Sequence, residues 1–300
     1  MILEPKISIV LLNLNQHRMT IDCIESLTEN DYTNFEIILV DNGSTDNSVE
    51  IFESLPQKYQ NLKFIKNREN LGFAEGNNVG IRNSDGDYIL LLNNDTIVKK
   101  DFLSSLVDAT KKFPNAGAFG PKMYSYDKPL EIWHIGGEIT KFLNFTHTPL
   151  KYKDSYKSVD WLSGCALMMN RETVEKVGLL NSSFFIYFED VEWCIRAKKA
   201  GYDLIYVPNA ELWHIGSVTS KERGGTTFFI YYGYRNKLFI LKKHYTGLIS
   251  TAIYIETMLS LLVRSIISLL KGDRTNGMAY FYALVDGVRG VSKKRFLKVK

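Results

Sequence analysis

Four times in its first hundred residues the chain runs an apolar stretch into a polar turn and then into a helical pattern. Lys6 to Leu12 ends at Asn13, Leu14 and Asn15, followed by a helix with Ile21, Ile24 and Leu27 on one face. Phe35 to Val40 ends in Asp41, Asn42, Gly43, Ser44, Thr45 and Asp46, with a capped helix through Phe52 and Leu55. Leu62 to Ile65 leads to Asn70, Leu71, Gly72 and Phe73, then to a helix carrying Asn77 and Asn78. Tyr88 to Leu92, five apolar or aromatic residues after the Gly86-Asp87 turn, stops on Asn93, Asn94 and Asp95. Continuous apolar runs of this length read as strands buried on both faces, and their alternation with helices predicts a doubly wound, mostly parallel α/β sheet.

Short connections place the polar turns on one rim, beyond the carboxyl ends of the strands, where open α/β sheets bind ligands. That rim collects Asn13, Asp41, Asn42, Asn70, Gly72 and Asp95. Neither GxGxxG nor GxxxxGK[ST] follows the first strand, so neither glycine-rich phosphate cradle is available. A nucleotide here would be held by Asn and Asp side chains and backbone, its phosphates neutralised by a hard cation such as Mg2+ or Mn2+. Asp95 either holds that cation or caps the helix starting near Asp101; the residues alone leave both open.

Beyond Phe119 the pattern loosens. Trp133 to Gly137 and Trp161 to Ala166 read as strands approached closely at their glycines, and Arg171 to Val177 as a helix. The run Phe184 to Phe188 leads into Glu189, Asp190 and a helix from Val191 to Ala200. A last strand, Leu204 to Val207, stops at Pro208, before Trp213-His214. Cys23, Cys165 and Cys194 form neither a CxxC pair nor a His cluster, which argues against structural zinc or a disulfide framework and suits a reducing compartment.

Several stretches together resemble the inverting GT-A glycosyltransferases of family 2, in particular their rhamnosyltransferase-like branch. They are Ser8 to Asn15, Val40 to Ser48, Glu69 to Ile81, Leu90 to Asp95, Trp161 to Glu172 and Phe188 to Tyr202, with Trp213-His214, Ser217 and Tyr234-Arg235-Asn236. The resemblance covers residues 6 to about 240. It implies a Rossmann-like GT-A fold with a nucleoside-diphosphate-sugar site at the strand rim. Leu12, Asn13, Asn15, Asp41, Asn42, Asn70, Gly72, Asn78, Asn93 and Asn94 would border the nucleotide sugar. Asp95, at the last position of the family's DxD motif, would bind a divalent metal (Mg2+ or Mn2+), with His214 a second ligand. The motif here reads Asn-Asn-Asp, one formal charge where a fuller motif has two. Asp190 would be the general base, and Glu189 would orient it or bind acceptor hydroxyls. From the residues alone the Glu-Asp pair equally suits helix capping, His214 a hydrogen-bonded histidine in an aromatic patch, and Trp133, Trp161 and Trp213 either core or sugar stacking. Trp161 is the acceptor-side choice.

The charge is divided. Residues 1–219 hold 22 Lys/Arg against 29 Asp/Glu, whereas residues 220–300 hold 15 against 4. Leu248 to Leu270 is the most apolar stretch, broken by a stripe of Glu256, Ser260, Arg264 and Ser268, and Lys293, Lys294, Arg295, Lys298 and Lys300 follow. Such a helix suits an interface better than a span, and a basic end suits anionic lipid; a helical cap on the body is the alternative. The expected division is a catalytic domain over 1–225 and a basic, helical, membrane-associating segment over 226–300. Met1 to Val10 does not read as an export signal, which places the chain in the cytoplasm, peripheral on the inner face of the cell membrane. The expected activity is hexosyl transfer, dTDP-rhamnose- or UDP-hexose-like in donor, to a glycan or lipid-linked acceptor in cell-surface polysaccharide or glycolipid synthesis. The alternative is a non-catalytic nucleotide-sugar-binding or membrane scaffold on a degenerate transferase fold. No nucleic-acid-binding motif is present, so nucleic acid is not an expected partner.

Overall fold

The computed structural model describes residues 4–216 and 225–296; Ser217, Lys298 and Lys300 lie outside the described residues. Four parallel strands form one side of a ten-stranded sheet: β1 (Ile7–Asn13), β2 (Phe35–Asp41), β3 (Leu62–Lys66) and β4 (Tyr88–Asn93), in the order β3-β2-β1-β4. Beyond β4 lie β11 (Ala166–Asn170), antiparallel to both neighbours, then β6 (Ala116–Ser125), β12 (Asp203–His214) and the two-residue β10 (Lys157–Ser158). Two short strands attach beside this path, β5 (Thr96–Val98) on β12 and β7 (Ile132–His134) on β6. The small hairpin of β8 (Gly137–Ile139) and β9 (Phe145–His147) stands apart.

Strand alternation sorts the core into two layers. Ile7, Ile9, Leu11, Ile37, Leu39, Leu90, Leu92 and Met168 face one side. There they meet Cys23, Ile24 and Leu27 of α1 (His17–Thr28), Phe52 of α2 (Ser48–Phe52), Leu55 of α3 (Leu55–Lys58) and the inner face of α5 (Phe102–Lys112). Val10, Ile89, Leu91, Leu167 and Met169 face the other side. Their partners are Ala74 and Ile81 of α4 (Gly72–Arg82), Val174 of α6 (Arg171–Val177) and Trp193, Cys194 and Ala197 of α7 (Glu189–Lys199). Helices thus cover both faces, as the uninterrupted apolar strands require. All three cysteines are free and buried.

Three expectations need correction. The helix read through Phe52 and Leu55 is two short helices, because Pro56 cannot donate the bond that would join them. Residues 161–165 are not a strand: Trp161 makes an isolated bridge to Gly137, and β11 begins only at Ala166. The close approach itself is real, since a Cβ on Gly137 would lie 1.9 Å from Trp161 Cε2. Finally, the strand read as Leu204 to Val207 continues through Pro208 to His214. A register shift against β6 between Val207 and Glu211 accommodates the proline, which has no N–H to give the ladder.

The expected boundary at 225/226 adjoins undescribed residues, and the helices beyond it pack on the sheet domain. Helix α8 (Gly225–His244) buries Phe228, Tyr231 and Tyr232 with Phe185 of the body and with Ala279 and Ala283 of α10 (Arg274–Arg289). Between them α9 (Leu248–Leu270) is inverted in polarity. Its buried residues are Ser250, Thr257, Leu261 and Ser265, with Ser265 Oγ donating to the Gly277 carbonyl at 2.8 Å. Its exposed residues include Leu248, Ile249, Ile255, Leu259, Leu262, Val263, Ile266 and Leu270.

Candidate active site

The carboxyl ends of the strands open into a cavity of about 370 Å3. Leu12 and Asn42 border it from β1 and the β2 turn, and Asn93, Asn94 and Asp95 from the end of β4. Ser163, Gly164 and Cys165 enter from the turn before β11, Glu189 and Asp190 from the start of α7, Trp133 and His214 from β7 and β12. Phe73, Ile186, Tyr187 and Phe228 complete an apolar wall.

The continued β12 brings His214 to this rim. It pairs with β5, His214 opposite Thr96, and Ile215 N–H donates to the Asp95 carbonyl at 2.9 Å. His214 Nε2 consequently lies 3.2 Å from Asp95 Oδ1. Asp95 does not cap the helix after it: β5 intervenes, and α5 begins at Phe102. Among the described residues its buried Oδ1 has no hydrogen bond of good geometry, and only the His214 ion pair meets its charge. A buried carboxylate oxygen so sparsely satisfied can accept a further cation or donor. Burial opposes charge on His214, but the Cys165 sulfur and the Asp95 carboxylate outweigh it and lift its pKa to about 11. A cation taking this place would displace that proton, since metal-bound imidazole is neutral. Among the described residues no group of three or more His, Cys, Asp or Glu side chains forms a complete metal cage. Asp95 and His214 would supply two ligands, which fits a hard cation that takes the rest of its shell from phosphate and water.

Opposite stand the two acids. Asp190 Oδ2 accepts from Gly164 N–H and Oδ1 from Val191 N–H, both at 2.7 Å. Burial pushes its pKa up, against the pull of those backbone donors. Glu189 is raised further, by burial first and by the neighbouring Asp190 second, and its Oε2 has no partner. The two titrate as a pair in which Glu189 keeps its proton longer and Asp190 carries the charge. They follow a loop with three non-glycine residues in the left-handed region, Phe185 (φ 65°), Tyr187 (φ 67°) and Phe188 (φ 69°). Each such residue costs about 1–3 kcal/mol and persists only when its surroundings impose it.

The remaining sequence-selected residues build the rim from behind. Asn13 is fully buried; its amide donates to Asp41 Oδ2 at 2.9 Å and to Ser44 Oγ, and its Oδ1 accepts from Thr20 and Asn94. Asp41 accepts from the Gly43 and Ser44 N–H groups, so its carboxylate shapes the turn and does not face the cavity. Asn15 (φ 59°) accepts from Thr45 N–H at 2.7 Å, tying two loops together. Asn70 accepts from Gly72 N–H, and Asn42 donates to the Gly72 carbonyl. Gly72 (φ 85°) has no room for a side chain, because a Cβ would sit 2.4 Å from the Phe185 ring. Asn78 lies away from the cavity, exchanging two hydrogen bonds with the Leu180 backbone. Trp161 also stands back, its ring 4.9 Å from that of His134 and pressed on Gly137. Gln16, Phe73, Gly164, Cys165, Ile186, Tyr187 and Phe228 line the cavity without having been singled out for it. Only the aromatic run before Glu189 hinted at the apolar wall.

Residues 8–178 match the profile of the glycosyl transferase family 2. The chain belongs to that family. Among relatives, it is 28% identical over 204 residues to the N-acetylglucosaminyl-diphospho-decaprenol L-rhamnosyltransferase of Mycobacterium tuberculosis, covering 59% of this chain and 66% of that one. It is 26% identical over 234 residues to the low-salt glycan biosynthesis hexosyltransferase Agl10 of Haloferax volcanii, covering 76% and 73%. An uncharacterized Sinorhizobium fredii protein is 28% identical over 227 residues, but the match spans only 24% of its length. The mannosyltransferase PcManGT of Pyrobaculum calidifontis, solved with GDP-Man and Mn2+, superposes with a TM-score of 0.62 at 14% identity, over 96% of this chain and 88% of that one. GalNAc-T7, solved with UDP, GalNAc and Mn2+, gives 0.63 at 18% identity, over 71% and 44%. The family 2 transferase fold is therefore of the GT-A type, as the resemblance implied.

Proposed function

We propose that this chain transfers a sugar from a nucleoside diphosphate, dTDP-rhamnose- or UDP-hexose-like, to a hydroxyl of a glycan or lipid-linked acceptor, with inversion. The observation that carries the reading is one cavity with Asp95 Oδ1, paired among the described residues only with His214, on one side and the buried Glu189 and half-buried Asp190 on the other. Leu12 and Asn42 border the nucleotide end, and Asn93 and Asn94 lie toward the diphosphate. A divalent cation, Mg2+ or Mn2+, held by Asp95 and His214 would supply Lewis-acid stabilisation of the departing diphosphate. Asp190, held by Gly164 and Val191, takes the proton from the acceptor hydroxyl as it attacks the anomeric carbon opposite the leaving group. Glu189, protonated beside it, donates a hydrogen bond to an acceptor oxygen. The apolar wall of Phe73, Ile186, Tyr187 and Phe228 keeps water from competing for the donor. Relatives named for decaprenyl-diphosphate-linked and glycan substrates support this acceptor class.

The placement of α9 extends the reading to the inner face of the cell membrane. Ser250, Thr257, Leu261 and Ser265 face the protein and most of the Leu, Ile and Val residues face outward, the pattern of a helix whose surroundings are apolar. By length and composition it could span a bilayer, but Glu256 and Arg264 on its surface favour an interfacial position.

The test is turnover of a panel of dTDP-, UDP- and GDP-sugars, with anomeric configuration read by NMR. Donor consumption with Mn2+ or Mg2+, its loss in EDTA and an inverted product are expected. Full activity in EDTA, or binding without any turnover toward glycan and lipid-linked acceptors, would overturn the reading.

A further inference from the structure

Arg235 and Asn236 lie in the middle of α8, and both are fully buried. Arg235 Nη2 donates to the Ser183 carbonyl at 3.1 Å and the Phe184 carbonyl at 2.7 Å, and its Nε donates to Asn236 Oδ1 at 2.9 Å. That last bond fixes the Asn236 amide so that Nδ2 points at the same loop. There it lies 3.0, 2.9 and 2.7 Å from the carbonyls of Phe184, Ile186 and Tyr187. Among the described residues no carboxylate pairs with Arg235. Its guanidinium is enclosed instead by the rings of Tyr231, Tyr232 and Phe239, at 5.3, 4.8 and 5.3 Å. Its Nη1 also donates to the Lys293 carbonyl at 3.3 Å. The shorter bonds from Nη2, and all three from the Asn236 amide, go to residues 183–187, so the loop is the main thing this buried cation and its neighbour hold.

The loop so held is the one that ends in Glu189 and Asp190, and it carries the three left-handed residues that need outside support. It also reaches the donor side, because the Phe185 carbonyl accepts from Phe73 and Ala74 N–H at the start of α4. We propose that Arg235 and Asn236 are positioning residues for transfer: they hold residues 183–187 from behind and thereby set the Asp190 carboxylate against the acceptor hydroxyl. This deepens the reading above and rests on it. The helix that begins the C-terminal segment is then part of the catalytic centre, although neither residue lines the cavity.

The experiment uses the full chain carrying Asn236→Ala, Arg235→Lys or Asp190→Asn. Arg235→Lys keeps the charge but not the fork that serves two carbonyls and the Asn236 amide. For each variant we would measure kcat, donor KM, affinity for UDP and dTDP with Mn2+, cooperative unfolding, and the rate of chymotrypsin cleavage within Phe184–Phe188. Both α8 variants should lose about tenfold or more in kcat, the order expected when a reacting group shifts by a fraction of an ångström. Donor KM and nucleotide affinity should stay within about twofold, and cleavage of the loop should accelerate. A folded variant with wild-type kcat, or one whose loss lies wholly in nucleotide affinity, would overturn the proposal. If Asn236→Ala does not fold, Arg235→Lys decides. An active Asp190→Asn beside impaired α8 variants would remove the base assignment and leave the positioning role standing. Inactive Asp190→Asn beside normal α8 variants would do the reverse.

Discussion

Replacing Asp190 by Asn separates the chemical from the structural role of this carboxyl. In the folded chain Asp190 accepts two backbone N–H bonds of 2.7 Å, from Gly164 and Val191. An asparagine oxygen can keep one of them; losing the other costs about 1–3 kcal/mol. Removing the charge also relieves Glu189, whose pKa is raised by burial first and by Asp190 second. The sign of the pH effect follows. Both carboxyls are raised on folding, so they favour the folded state below the unfolded carboxyl range and lose that contribution as pH rises through the folded values. The stability of the wild type relative to the variant should therefore fall with rising pH over this range, His134, whose burial holds its pKa down to about 3, contributing equally to both. At neutral pH the two effects oppose each other, and the net change in stability is small. Catalysis has no such compensation: loss of a general base lowers the rate by about 10²–10⁴, or roughly 3–5 kcal/mol of barrier. The assay is kcat at saturating donor from pH 5 to 9, with thermal unfolding over the same range. In the wild type the acid limb of kcat/KM should lie above the usual Asp range, because the base must ionise against burial. A variant keeping more than a tenth of wild-type kcat, or losing donor affinity in proportion, would refute the assignment. So would a stability difference between wild type and variant that rises with pH through this range.

The other predictions concern the cation and the lipid face. Asp95→Ala should abolish Mn2+-dependent nucleotide binding by calorimetry and lower turnover at least 100-fold, with cooperative unfolding retained and a loss of stability no larger than that of the His214 ion pair it removes. Leu259→Glu with Val263→Glu on the exposed face of α9 should abolish flotation with anionic vesicles and depress transfer to a lipid-linked acceptor, leaving hydrolysis of soluble donor unchanged. Wild-type flotation by the double variant would show that α9 is not the contact.

The strands β1 to β4 and the rim they share were legible because each is a continuous apolar run closed by Asn, Asp or Gly, and neighbouring layers leave such a run no other stable place. The pairing of His214 with Asp95 was not. It depends on β12 passing Pro208, which as a local signal ends a strand and here is absorbed by a register shift. The antiparallel β11 was equally hidden, since Trp161 to Ala166 looks as strand-like as the five residues that pair. Within the site, the acids and Asp95 chosen from sequence do line one cavity, but the division of labour among the asparagines was hidden. Asn13 and Asn78 are as polar as Asn42, and only packing shows that they bind backbone and side chains of this chain. The tail was read from charge and hydropathy, which say nothing of Arg235 reaching Phe184.

The hold of α8 on residues 183–187 also has a consequence for how the protein is made. Chains emerge from the ribosome N-terminus first, at about 5–20 residues per second, and begin to fold in that order. The parallel half of the sheet and the asparagine rim can assemble while α8, α9 and α10 are still unsynthesised. The loop before Glu189 cannot settle then, because Arg235 and Asn236, which hold it, come about 50 residues later in the chain. The Ser292 hydroxyl, which also donates to the Ser183 carbonyl, comes later still. Nascent chains would thus acquire the asparagine rim seconds before the loop that leads to Glu189 and Asp190, and the complete cavity only when α8 is in place.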